Sequence, residues 1–277
     1  MIKLIATDAD GTLFPDYGQD LPVSYFDTVR VLMDHGIIFG VCSGRPASNL
    51  RKVFAPIQDQ IFYITQNGAM ASYKGKTIYR EAIPMADSRE IIRDIRALDG
   101  CMTLYDTGEV CYFEKRDEEA YQFTRDVYHF DCELVDDLLD LKAPCIKFSV
   151  YRADHVEEVT EKAFAPKWRK KMNVACAGER VVDMMPRAAS KGSSLSKVQA
   201  IFGVSMEETL AFGDNSNDID MLNQAKYSVA VDNARQEVKE VCRYVADSNI
   251  NDGELKVLKA LLKDLNHPEA ALRSFEK

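Results

Sequence analysis

The sequence predicts an α/β protein: a parallel-sheet core interrupted by an inserted α+β domain. Three observations carry that reading. In the first and last thirds of the chain, short apolar runs that suit buried strands alternate with segments of helical periodicity. The middle third breaks this alternation and mixes hairpins with helices. The length of 277 residues accommodates a core domain and an inserted one of ordinary size.

Taken in order, Lys3–Thr7 is an apolar run expected to form a buried strand, ending at Asp8-Ala-Asp-Gly-Thr-Leu13. Ser24–His35 has helical spacing through Phe26, Val29 and Met33, with Gly36 as its stop. Ile37–Cys42 is a second buried strand, ending at Ser43-Gly44-Arg45-Pro46. A short helix and the strand Ile61–Thr65 follow, and Asn67-Gly68 signals a turn. The inserted segment gives a helix near Ser88–Leu98, a hairpin over Met102–Phe113 and a helix over about Glu118–Tyr128. It continues with the strand Cys145–Tyr151, the helix Val156–Phe164 and a hairpin of Met172–Cys176 and Arg180–Met184 through Gly178. Alternation then resumes: helix Lys191–Phe202, strand Thr209–Phe212, helix Asp218–Gln224, strand Tyr227–Val231, helices Val238–Val245 and Glu254–Leu265. The residues after His267 are expected to form a loose tail. The predicted division is 1–83 and 187–277 for the core and 84–186 for the insertion.

Composition narrows the function classes. The net charge of −9 argues against a general nucleic-acid or anionic-membrane binder, which needs a basic face. No run of about 18 apolar residues offers a membrane span. The chain reaches Asp8 before a signal-peptide apolar region can form. The seven cysteines are odd in number and include no C-x-x-C pair, so neither a disulfide framework nor a structural zinc site is expected. A reducing cytoplasm is the expected compartment. His35, His129, His155 and His267 follow no ligand spacing.

The ends of the core strands carry the chemistry. In a parallel sheet their carboxyl ends share one edge, where ligands of open α/β sheets bind. Asp8, Asp10, Asp214 and Asp218 are expected to converge there. Clustered carboxylates raise one another's pKa, and a hard cation removes that cost. An oxygen-only donor set favours Mg²⁺ over zinc. Asp8 can serve as a carboxylate nucleophile and Asp10 as the acid and base. The Ser43 hydroxyl, the Gly44 N–H and Lys191 suit phosphate oxygens.

Asp8-x-Asp-Gly-Thr-Leu13, Ser43-Gly-Arg, Ser190-Lys-Gly192 and Gly213-Asp-x-x-Asn-Asp218 resemble the four ordered motifs of the haloacid dehalogenase superfamily. The chain is most similar to its Cof-type phosphatase branch with a class II B-type cap. Gln66-Asn-Gly-Ala69, Asp220-Met-Leu222, Asn233-Ala234 and Asn251-Asp-Gly253 add to the likeness. The resemblance implies a Rossmann-like parallel-sheet core with an inserted α+β cap domain. It implies Asp8 as nucleophile and Mg²⁺ ligand, Asp10 as acid/base with its carbonyl on Mg²⁺, and Asp214 as the third protein ligand. Asp218 would orient Lys191 or a metal-bound water. Phosphate contacts would come from Ser43, Gly44, Lys191, Asn217 and the backbone at Ala9. Arg45 and Asn67 are candidate substrate contacts. The implied activity is Mg²⁺-dependent hydrolysis of small phosphomonoesters, such as sugar phosphates, through an aspartyl-phosphate, with a small phosphorylated metabolite as partner.

Each residue also has a structural reading. Asp8 and Asp10 can cap and turn the chain, and Asp218 can cap a helix. Lys191 opens a helix where a cation is disfavoured, so an anionic partner is expected. For Arg45, a substrate contact and a structural ion pair weigh equally. Asn67 can simply permit a left-handed turn. Lys147 reads as a surface lysine and Cys42 as a buried strand thiol. Two other functions use the same residues. A phosphomutase or phosphotransferase passes phosphate to another hydroxyl. A non-enzymatic phospho-acceptor keeps the aspartyl-phosphate, which a hydrolysis-promoting carboxylate at Asp10 opposes. Dehalogenation needs no metal and leaves Asp10 and Asp214 without work.

Overall fold

In the computed structural model, which describes residues 1–15, 20–127, 130–177 and 179–277, strand β1 (Leu4–Thr7) is buried at every position. Leu4 and Ala6 join one apolar cluster and Ile5 another, the two-residue alternation of a strand. A strand covered on both faces has no use for a polar face, which explains its unbroken apolar run. Helix α1 (Val23–Asp34) sets Phe26, Val29 and Leu32 into the cluster that holds Ile5. Strand β2 (Ile38–Cys42), helix α2 (Ala47–Val53) and strand β3 (Phe62–Thr65) follow. Strands β4 (Met70–Tyr73) and β5 (Lys76–Arg80) come next.

The sequence stopped at the Asn67-Gly68 turn and missed β4 and β5. Ala71 and Ser72 have little β-propensity, and β5 is half exposed, so neither run stands out. β4 pairs antiparallel with β3.

The inserted unit contains α3 (Met85–Arg96), β6 (Met102–Asp106), β7 (Cys111–Glu114), α4 (Glu118–Val127) and β8 (Cys132–Val135). It continues with β9 (Lys147–Tyr151), α5 (Val156–Trp168), β10 (Met172–Cys176) and β11 (Val181–Pro186). Its sheet runs β10-β11-β9-β6-β7-β8. The expected hairpin about Thr107-Gly108 is the antiparallel pair β6–β7. β10 and β11 pair antiparallel; the expected turn residue Gly178, the helix end at Tyr128 and His129 lie outside the described residues.

Lys147 is not on the surface. It sits 8% exposed on the central strand β9. Its ammonium lies 3.6 Å from Asp183 of β11 and 3.9 Å from Asp106 of β6. A buried lysine needs such partners, and here both flanking strands supply one. Lys147, Ser149, Tyr151, Asp183, Leu104 and Phe130 line a cavity of about 160 Å³ in this unit.

The chain returns through α6 (Lys191–Phe202), β12 (Thr209–Gly213), α7 (Ile219–Leu222), β13 (Tyr227–Ala230), α8 (Gln236–Val241) and β14 (Tyr244–Val245). It closes with α9 (Gly253–Lys263) and α10 (Pro268–Ala271). The core sheet runs β14-β13-β12-β1-β2-β3-β4-β5. β1, β2, β3, β12, β13 and β14 are mutually parallel.

Two expectations for the end of the chain are corrected. The helix placed over Val238–Val245 stops at Val241, and Tyr244–Val245 is an edge strand beside β13. Tyr244 and Ala246 are buried and Val245 between them is less so, which is strand alternation. The residues after His267 are docked. Leu272 is fully buried in the cluster that holds Leu258 and Leu261, and Glu276 bridges to Tyr244.

The chain divides into two compact units. One comprises Met1–Arg45, Leu50–Tyr79 and Ser190–Lys277; the other comprises Pro46–Asn49 and Arg80–Ala189. The inserted unit is thus a few residues wider at each end than 84–186. No helix among the described residues is long and apolar enough to cross a membrane.

Candidate active site

β1, β2 and β12 run side by side and parallel, so Asp8, Ser43 and Asp214 emerge from one edge of the sheet. Asp8 is 4% exposed, and its N–H still donates to the Phe212 carbonyl of β12. The chain then turns sharply. Leu13 N–H donates to the Ala9 carbonyl and Gly11 N–H to that of Phe14. Gly11 has φ of +82°, and a Cβ there would overlap the Asp214 carboxylate. Gly11→Ala is therefore expected to cost more than about 1 kcal/mol of stability, which thermal unfolding checks.

Lys191 is the first residue of α6. Ser190 caps the helix, accepting from Ser193 N–H while Ser193 Oγ accepts from Ser190 N–H. A cation at a helix N-terminus is unfavourable. Two carboxylates offset this: the Lys191 ammonium donates to Asp8 Oδ1 and Asp218 Oδ1, each at 2.6 Å. Gly68 permits the approach of α6, because a Cβ there would overlap the Ser190 backbone.

Asp218 is fully buried, and both its oxygens are taken. Oδ1 holds Lys191, and Oδ2 accepts from Asp214 N–H and Asn215 N–H at 3.0 Å each. It therefore fixes the loop that carries Asp214, rather than simply capping α7. Asp8, Asp214 and Asp218 present ligand atoms within 4.8 Å of one another. Thr12 Oγ1 lies between two of them, 2.8 Å from Asp214 Oδ1 and 3.3 Å from Asp8 Oδ2.

The electrostatics follow from crowding. Burial, and then the Asp218 charge, push Asp8 well above the ordinary carboxylate range, against the pull of Lys191. Burial also raises Asp214, opposed by the Thr12 hydroxyl. Burial alone would lower Lys191, but Asp8 and Asp218 outweigh it and hold the ammonium charged. One ammonium thus contacts two of the three clustered carboxylates. The set is all oxygen apart from Lys191, and it is suited to a hard divalent cation.

Arg45 is in an ion pair. Its Nε donates to Asp10 Oδ2 at 2.7 Å and its Nη2 to Oδ1. Its guanidinium lies 5.2 Å over the Phe14 ring. Ser43 is buried, and its Oγ accepts from Arg45 N–H. Gln66 and Asn67 both have positive φ, near 50°. The left-handed reading of Asn67 holds, and its Oδ1 also accepts from Asn217 Nδ2 at 3.1 Å. Asn217 and Gly44 are exposed. The Ala9 carbonyl accepts from Leu13 N–H. Cys42 is buried, and burial raises its thiol.

Sequence reasoning assigned no role to Thr12 or Asn233. Thr12 lay inside the first motif, where its hydroxyl was a visible signal. Asn233 donates from Nδ2 to the Gly11 carbonyl at 2.7 Å and so holds the turn after Asp10.

Comparison with known proteins bears on this geometry. The family model described as haloacid dehalogenase-like hydrolase matches residues 5–258. A 5-amino-6-(5-phospho-D-ribitylamino)uracil phosphatase of Escherichia coli K12 is 26% identical over 95% of this chain and 97% of its own. Phosphoglycolate phosphatase 1 of Saccharolobus solfataricus is 25% identical, over 95% of this chain and 97% of its own. A solved structure from Eubacterium rectale superposes with a TM-score of 0.88 at 36% identity, covering 94% of this chain and 99% of that one.

Proposed function

Because the chain belongs to the haloacid dehalogenase-like hydrolase family, we propose that it is a Mg²⁺-dependent phosphatase of small phosphomonoesters. The observation that carries the reading is the buried Lys191 shared by Asp8 and Asp218, beside Asp214. Asp8, Asp214 and the Asp10 carbonyl would hold Mg²⁺, which when bound neutralises charge on the phosphoryl oxygens.

In this reading Asp8 attacks phosphorus. A bond forms from its carboxylate oxygen, the bond to the leaving oxygen breaks, and Asp10 gives its proton to the departing alkoxide. Water then attacks the aspartyl-phosphate and loses a proton to Asp10. The bond to Asp8 breaks, phosphate leaves and both groups return to their starting states. Lys191 holds Asp8 in place and, with Ser43, the Gly44 and Ala9 backbone and Asn217, meets phosphoryl oxygens. Asp218 acts through Lys191 and the Asp214 loop. Arg45 grips both oxygens of Asp10, so it must release them before Asp10 meets a leaving group. In this reading Arg45 and Asn67 would then meet the substrate.

The two phosphatases above act, by name, on different phosphoesters. The substrate class proposed here is accordingly a small phosphorylated metabolite. The seven free cysteines suit a reducing cytoplasm.

Phosphate release from a panel of phosphorylated metabolites tests the reading. EDTA is expected to abolish release and Mg²⁺ to restore it. Metal-independent turnover would remove the role given to Asp214. Transfer of the phosphoryl group to a second hydroxyl, with no free phosphate, would identify a mutase or transferase instead.

A further inference from the structure

Behind strand β1, on the side of α1 and α9, lies a buried acid that the proposed chemistry does not use. Glu254, in the first turn of α9, is 2% exposed. Its Oε2 is 2.5 Å from Thr7 Oγ1, and its Oε1 accepts from the Tyr25 hydroxyl at 2.8 Å. Thr7 Oγ1 is also 2.8 Å from the Asp8 carbonyl oxygen. Thr7 and Tyr25 are themselves buried.

Hydrogens can be counted along this chain. Three oxygen–oxygen contacts, at 2.5 to 2.8 Å, each need one hydrogen. Tyr25 and Thr7 bring one each. The Asp8 carbonyl can only accept, so the Thr7 hydrogen belongs to that contact. The hydrogen between Thr7 and Glu254 must then sit on Glu254. We propose that Glu254 is a positioning residue, held as the neutral acid, which donates to Thr7 so that Thr7 donates to the Asp8 carbonyl and fixes the end of β1.

The surroundings agree. Among the described residues, the titratable groups that line the adjoining cavity with Glu254 are Tyr25 of α1 and the acids Asp20 and Asp252, with no cation. Burial raises Glu254 to about 8, with the Thr7 and Tyr25 hydroxyls opposing. Ionised Glu254 would instead accept from Thr7 and leave the Asp8 carbonyl facing a bare oxygen. The positioning role rests on the phosphatase reading, because it matters only if Asp8 reacts.

The sign follows from the raised acid. Its unfolded pKa is about 4.3, so Glu254 contributes stability below that value and loses it as pH rises through about 8. Glu254→Gln keeps one donor for Thr7 and one acceptor for Tyr25 without titrating. The melting temperature of the wild-type protein minus that of E254Q is therefore expected to fall steadily between about pH 5 and pH 8.5. A constant difference across that range would overturn the neutral acid, whether or not the protein is a phosphatase.

Kinetics tests the positioning role on the Mg²⁺-loaded enzyme. The wild type is expected to lose activity as pH rises through about 8, and E254Q to keep the wild-type kcat at pH 6 without that alkaline fall. Glu254→Leu is expected to lower kcat about ten- to a hundredfold with KM little changed, the scale on which a misplacement of about 1 Å acts. Wild-type kcat in folded E254L, or the same alkaline fall in E254Q, would overturn the role.

Discussion

Asp8→Asn is expected to lower turnover by at least about a thousandfold while the protein stays folded. The amide keeps the shape of the carboxylate but cannot attack phosphorus. Its effect on stability runs against intuition. Asp8 is held well above the ordinary carboxylate range by burial and by Asp218. At neutral pH its charge therefore costs the fold more than Lys191 returns. Asn removes that charge and leaves Lys191 its contact with Asp218. Without metal, the variant is expected to melt at or above the wild-type temperature, and Mg²⁺ is expected to stabilise it less than it stabilises the wild type. Thermal unfolding with and without Mg²⁺ measures both. Substantial residual phosphatase activity in the folded variant would defeat the assignment of Asp8 as nucleophile.

Lys191→Met is expected to have the largest effect on stability. The variant keeps the side chain's bulk and removes the only cation that touches both Asp8 and Asp218 among the described residues. Breaking a buried pair from one side costs about 3–5 kcal/mol, because an uncompensated charge stays behind. For a chain of this size that lowers the melting temperature by about 10 °C. Asp8, already held above the ordinary carboxylate range by burial and by Asp218, would be pushed higher still without the ammonium that opposes them. Proton binding would favour the fold, so the variant should regain stability as pH falls. Mg²⁺ should rescue it more than it helps the wild type, since another cation can take up the charge. A variant with the wild-type melting temperature at pH 7.5 would show that Lys191 does not carry the charge balance of the site. Activity should be lost along with the anchor for Asp8.

The parts of the fold that position the site were legible because their signals are local and strong. β1, β2 and β12 are apolar runs that end abruptly in Asp8, Ser43 and Gly213-Asp214, and parallel pairing brings those ends together. The partners of these residues were less visible. Nothing near Arg45 in the chain indicates that its guanidinium lies on Asp10, 35 residues away. Only the turn at Gly11 and the exit of β2 place them side by side. The burial of Lys147 depends on Asp106 and Asp183 of neighbouring strands. That register is a tertiary fact, and the residue's own neighbourhood suggests a surface. β14 was hidden because two residues cannot establish a period against the preceding helix α8. The end of the chain reads as polar, and a single apolar residue, Leu272, is enough to dock it. Glu254 was hidden for the same reason as Lys147. A glutamate in the first turn of a helix is ordinary on any surface. Only the closeness of Thr7, 247 residues away, makes it a buried acid.

In the proposed reaction the phosphoryl group passes through Asp8. Rapid quenching of the Mg²⁺-loaded enzyme with its best panel substrate, followed by mass spectrometry of its peptides, tests this most directly. One phosphoryl group is expected on the peptide that contains Asp8, absent from D8N, appearing before free phosphate and decaying as it is released. Turnover with no adduct on that peptide at any time, or an adduct on another residue, would contradict it.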